Sequence, residues 1–166
     1  MTEEVLVARE RVLGPDHPDT LQSRHNLAWV YAELGRFGEA LRVTEEVLVA
    51  RERVLGPDHP DTLWSRHNLS VVYTGLGRFE EALRVTEEVL VARERVLGPD
   101  HPDTLSSRHN LAWVYAELGR FEEALRVMEE VVEDFGRVLG PDHPYTLQGR
   151  ESLAEIKRLR RGTSAA

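Results

Sequence analysis

Histidine and aspartate recur together in this chain at a fixed interval. The block Gly-Pro-Asp-His-Pro starts at Gly14, Gly56, Gly98 and Gly140, in steps of 42 residues, and a further histidine follows in three copies as His25, His67 and His109. Imidazole beside carboxylate is the chemistry of general acid–base catalysis and of metal ligation. The pattern argues against both. An active site is one place, whereas these groups come in several copies, with no phosphate-cradling glycine loop and no Ser/His/Asp set outside the repeated framework. The ladder His25, His67, His109 places equivalent residues about 10 Å apart at helix-packing distances, too far to share one ion. No enzyme, no cofactor and no metal site is expected, and a ladder facing a ligand predicts a modest response of binding near pH 6 to 7.

The elements that position these residues follow from the same blocks. All eight prolines lie in the four Pro-Asp-His-Pro segments. Between them only Gly35-Arg36, Gly77-Arg78 and Gly119-Arg120 interrupt a helical pattern, so each copy reads as two helices and two turns. Gly14 suits a helix end, Pro18 pushes His17 out of the helical region, and His17 becomes a cap with Pro18 in the first helical position. Asp16 and Asp19 add negative charge beside the new N-terminus. The first helix then runs from about Pro18 to Leu34, with Leu21, Leu27, Ala28, Tyr31 and Leu34 as its buried stripe. The second runs from about Phe37 to Val54, with Phe37, Ala40, Leu41, Thr44, Val47, Leu48 and Arg51 at packed-face spacing. Turns of a few residues make the helices antiparallel neighbours.

Composition narrows the partners. The 166 residues carry a net charge of -8 with 30% charged side chains of mixed sign, and the one lysine is Lys157. Backbone binding to nucleic acid needs clustered cations, and the only cluster is Lys157, Arg158, Arg160 and Arg161, so nucleic acid is not an expected partner. No apolar run nears a membrane span, and the acidic start Met1-Thr2-Glu3-Glu4 is unlike a signal peptide, which points to a cytoplasmic protein without membrane contact. There is no cysteine. The arginine excess resembles that of proteins from GC-rich bacterial genomes.

Asn26-Leu27-Ala28-Trp29-Val30-Tyr31, followed by Leu34-Gly35-Arg36-Phe37 and Glu39-Ala40, resembles a tetratricopeptide repeat, and the match recurs three times over nearly the whole chain. The 42-residue period with its Leu-Gly-x-Asp-His-Pro-Asp junction is similar to the longer-helix subclass found in kinesin light chains and in sensor arrays of bacterial signalling NTPases. The resemblance implies an all-α, right-handed α-solenoid of antiparallel helix pairs whose concave groove, lined by the first helices, binds peptides or proteins. In kinesin light chains paired asparagines grip the ligand backbone. Here His25, His67 and His109 replace the first of each pair, while Asn26, Asn68 and Asn110 keep the second. A lysine clamp for a C-terminal carboxylate has no counterpart.

Copy-to-copy comparison locates the variable face. From Gly14–Leu55 to Gly56–Leu97 only six positions change, and four of them (22/64, 29/71, 32/74 and 33/75) fall on one arc of the first helix, displaced from the buried stripe. The candidate groove residues on that arc are Gln22, His25, Trp29 and Glu33; Trp64, His67 and Val71; and Ser106, His109, Trp113 and Glu117. Either a ligand covers the tryptophans or each packs against the next copy.

The copies divide the chain as a single array, 1–166: a partial second helix at 1–13, repeats at 14–55, 56–97 and 98–139, and a C-terminal capping helix at 140–162. In that last helix Lys157, Arg160 and Ser152 stand where Tyr31, Leu34 and Asn26 stood. Met1–Leu13 repeats Val43–Leu55 nearly letter for letter, so the array opens on a helix that lacks its partner. The expected function is a protein- or peptide-binding scaffold, the sensor or adaptor C-terminal part of a larger protein. The alternative is a self-assembling array that oligomerises through its uncapped N-terminal repeat face.

Overall fold

The computed structural model describes residues 3–163. Among them eight helices follow one another: α1 (Glu3–Leu13), α2 (Pro18–Glu33), α3 (Phe37–Leu55), α4 (Pro60–Gly75), α5 (Phe79–Leu97), α6 (Pro102–Glu117), α7 (Phe121–Leu139) and α8 (Pro144–Thr163). The fold is all-α, built from consecutive helix pairs.

Helix starts lie where the proline blocks put them. His17, His59 and His101 keep extended backbone (ψ 139°, 139° and 137°), and each Nδ1 accepts the N–H of Asp19, Asp61 or Asp103 at 3.1–3.2 Å. The imidazole thus satisfies a donor that the first helical turn leaves orphaned, and the adjacent proline has no N–H to satisfy. At the other end Gly35 turns left-handed (φ 71°), which lets Arg36 N–H reach Tyr31 O at 2.8 Å and Gly35 N–H reach Ala32 O at 2.9 Å. Arg36 then lies 4.6 Å from the centre of the Tyr31 ring and pairs with Glu39. Leu34, expected in the buried stripe, caps this helix end and is exposed, because the glycine turn carries it past the packed face.

The chain forms two compact units, Met1–Val85 and Thr86–Ala166. In the first, α2 packs on α3, α3 on α4 and α1 on α2. Ala28, Val43 and Val47 form an apolar cluster with Tyr31 against it. Beside it lies a polar joint. Arg51, only 2% exposed, donates to Asp61 O (3.0 Å) and Ser65 Oγ (2.9 Å) in the first two turns of α4, and to Gln22 Oε1 (2.9 Å) on α2. Next to it Glu52 pairs with Arg66 at 2.5 Å. Arg9 makes the same joint from α1 to α2, through Asp19 O (3.3 Å) and Ser23 Oγ (2.7 Å).

In the second unit Arg93 repeats the joint to Asp103 O (2.8 Å) and Ser107 Oγ (2.9 Å), with Glu94 paired to Arg108 at 2.7 Å. The α7–α8 junction keeps Arg150 at the position of Arg66 and replaces the other members. Phe135, Gly136, Tyr145 and Gly149 stand where the Arg51 joint has Arg51, Glu52, Asp61 and Ser65. The Phe135 and Tyr145 rings meet at 5.8 Å. On α8, Lys157 and Arg160 pair with Glu129 and Glu122 of α7, both at 3.0 Å. Charges at positions that are apolar elsewhere thus find acidic partners.

Two glycines that replace glutamate between copies have opposite surroundings. A Cβ at Gly38 would meet nothing within 4 Å, whereas one at Gly75 would come within 2.6 Å of the Phe37 ring. Gly38→Glu, the residue of Glu80 and Glu122, is expected to stabilise the chain by about 0.5–1 kcal/mol through helix propensity. Gly75→Glu, the residue of Glu33 and Glu117, forces the Phe37 ring to move, so it should fall at least about 1 kcal/mol short of the Gly38 variant. Urea unfolding of both checks this; equal effects would contradict the close contact.

Candidate functional site

In the first unit the candidate residues converge on two places. The first is a polar cluster around His25, which is 6% exposed. Trp64 Nε1 lies 2.5 Å from His25 Nε2, and Asn68 Nδ2 lies 3.1 Å from the same nitrogen. An indole N–H can only donate, so Nε2 is an acceptor and the imidazole is neutral with its proton on Nδ1. Burial, with the Arg51 cation second, lowers the His25 pKa to about 4, and Asp61 opposes this weakly. The Trp64 ring also stacks on His67 at 5.7 Å. Gln22 is held between Arg51 and Asn26, whose Oδ1 accepts from Gln22 Nε2 at 3.0 Å.

These contacts correct two expectations. His25 is an internal joint rather than an open rung, so its titration falls well below pH 6 to 7. Asn68, proposed to grip a ligand backbone, is buried and spends its amide on His25. They also recast the variable face: Gln22 and Trp64 differ because one holds Arg51 and the other His25, and Gly75 differs where the Phe37 ring sits.

The second place is a crevice among α2, α3 and α4. Its lining is Ala28, Trp29, Ala32, Thr44, Asn68, Val71 and Val72, and its free space of about 10 Å³ is that of one water molecule. Trp29 stands over it with 49% of its surface exposed. The variable pairs 29/71 and 32/74 contribute three of the lining residues. Glu33 is exposed one helical turn beyond Trp29. Thr44 Oγ1 is buried without a hydrogen-bond partner. No motif marks Thr44 or Val72; only their place on packed faces does.

In the second unit the equivalents are engaged differently. His109 Nε2 lies 3.0 Å from Ser152 Oγ of α8, and burial lowers the His109 pKa. Asn110 Nδ2 donates to Thr86 Oγ1 at 3.3 Å, the contact that Asn68 forgoes with Thr44. Trp113 packs against the Ala112, Met128 and Ile156 cluster, Ser106 is half-buried and Glu117 is exposed. Among the described residues no three His, Asp or Glu side chains come together as a metal site.

Comparison with known proteins defines the class. Tetratricopeptide repeat models match residues 44–90 and 72–135, and 2–19 and 20–61. The chain belongs to the tetratricopeptide repeat family, whose helix pairs form non-catalytic scaffolds for protein interaction. No curated protein matches it. Among solved structures, a kinesin light chain-like protein of Podosopora anserina with nearly identical repeats is 31% identical, with a TM-score of 0.76 over 98% of this chain and 77% of that one. At the level of fold alone it is similar to BtubC (BKLC) of P. vanneervenii (19% identity, TM-score 0.67, 99% of this chain and 72% of that one). A tetratricopeptide-like protein of Chlorobium tepidum is likewise similar in fold (16% identity, TM-score 0.64, 87% and 94%).

A neutral buried His25 makes stability depend on pH. In the unfolded chain it protonates near 6.5 and in the folded chain near 4, so between these values the unfolded state binds more protons and stability falls as pH drops. The full effect is about 3 kcal/mol. Unfolding free energies at pH 7 and pH 4.5 should drop by about 2 kcal/mol more in the wild type than in His25→Gln; equal drops would contradict the buried neutral state.

Proposed function

We propose that this chain is a protein- or peptide-binding scaffold, the sensor or adaptor part of a larger protein, and that it takes its ligand on the face of the first helices as one array spanning 1–166. The observation that carries this is Trp29, which stays half exposed above an apolar crevice, on an arc of α2 displaced from the face that buries Leu21 and Ala28. Tryptophan anchors buried on binding are worth about 2 kcal/mol or more each. The acidic net charge favours a protein ligand over nucleic acid. Among the described residues no helix is long and apolar enough to cross a membrane, in keeping with a cytoplasmic role.

A second reading is self-assembly through α1. Val5 is 41% exposed, whereas Val47, its equivalent on α3, is 1% exposed beneath Ala28 and Tyr31.

Pull-down with the wild type and with Trp29→Val separates the readings, since valine already stands at the equivalent position 71 and keeps the helix intact. Loss of a retained protein by the variant is expected. Identical recovery, together with a scattering mass that rises with concentration and returns to monomer in Val5→Glu, would instead support assembly.

A further inference from the structure

The crevice under Trp29 has the chemistry of a specific side-chain site. We propose that it binds a lysine or arginine side chain of a peptide ligand, an inference that rests on the groove reading above. Its mouth, formed by Ala28, Ala32 and Val71, is apolar, and since its free space takes only a water-sized group, an unbranched aliphatic stem lies across it rather than inside it. The exposed indole of Trp29 offers its negative face to a cation. Glu33, four residues on and on the same side of α2, supplies the carboxylate. That carboxylate is uncommitted: Glu33 makes no ion pair among the described residues, while Glu10, Glu39 and Glu52 of the same unit are each bound to an arginine. Arg36, the nearest cation in sequence, is already taken by Glu39 and the Tyr31 ring.

Two further observations distinguish this place from the equivalent positions of the other copies. Thr44 Oγ1 lines the crevice buried and unpartnered, because Asn68 turns to His25; in the second unit Asn110 satisfies the equivalent Thr86. The aromatic and the acid also change together between copies. Trp29 goes with Glu33 and Trp113 with Glu117, but Val71 goes with Gly75. A net charge of -8 adds long-range attraction for a basic segment.

The test uses the full chain, isotope-labelled for NMR, and four end-capped heptapeptides Gly-Ser-Ala-X-Ala-Ser-Gly with X as lysine, arginine, norleucine or glutamate. The lysine and arginine peptides should shift the Trp29 indole and the Ala28 and Ala32 methyls and bind about fivefold tighter than norleucine, with the glutamate peptide weakest. Glu33→Gln should remove most of that advantage and leave norleucine binding unchanged, and Trp29→Val should weaken all three binders. Equal binding of lysine and norleucine, or a lysine affinity untouched by Glu33→Gln, overturns the cation site while leaving the groove reading intact. Binding of none of the four also overturns the site; the groove reading then fails only if Trp29→Val retains every protein that the wild type retains.

Discussion

An arginine, buried at Arg51 and Arg93 and half-buried at Arg9, joins α1, α3 and α5 to the first two turns of the helix that follows each. Each donates to the backbone carbonyl of an aspartate in the first turn and to the hydroxyl of a serine one turn further on. Removing a guanidinium from water is costly, and burial indeed lowers the pKa of Arg51 and Arg93. The cost is offset only if the fork meets acceptors at fixed places. That requirement sets the register between helices more strictly than valines and alanines can, because an apolar face tolerates sliding and a fork of hydrogen bonds does not. The α7–α8 junction, with Phe135, Tyr145 and Gly149 at the same positions, uses ring packing instead.

With register held by the arginine, the neighbouring polar residues become available for other contacts. Gln22 completes the Arg51 fork, and its replacement in the next copy, Trp64, reaches back to His25. His25 then draws Asn68 away from Thr44, and the crevice below Trp29 acquires an unsatisfied hydroxyl. One substitution between copies therefore propagates, through hydrogen bonds that can be traced atom by atom, into a local difference between otherwise identical surfaces. A repeat protein needs such differences to recognise anything, since identical faces recognise nothing in particular.

Much of the fold is legible in the residues because it is local. A proline after His17 and a glycine after Leu34 act on their immediate neighbours, so helix ends and caps follow from spacing. The arc bearing Trp29 and Glu33 follows from helical period for the same reason. What spacing does not reveal depends on partners far along the chain. His25 is buried because Trp64 and Asn68, 39 and 43 residues away, close over it. Gly75 is glycine where the Phe37 ring already occupies its side-chain space. Leu34 belongs to the apolar period yet lies beyond the last helical residue, where period no longer dictates burial.

The most direct measurement is a double-mutant cycle between Arg51 and Ser65. Urea unfolding of Arg51→Met, Ser65→Ala and the double variant reports the coupling of the buried fork separately from the general cost of each change. A coupling of about 1–2 kcal/mol is expected for a charge-assisted hydrogen bond at a buried joint. Strictly additive effects, with coupling near zero, would contradict a structure whose register rests on that arginine.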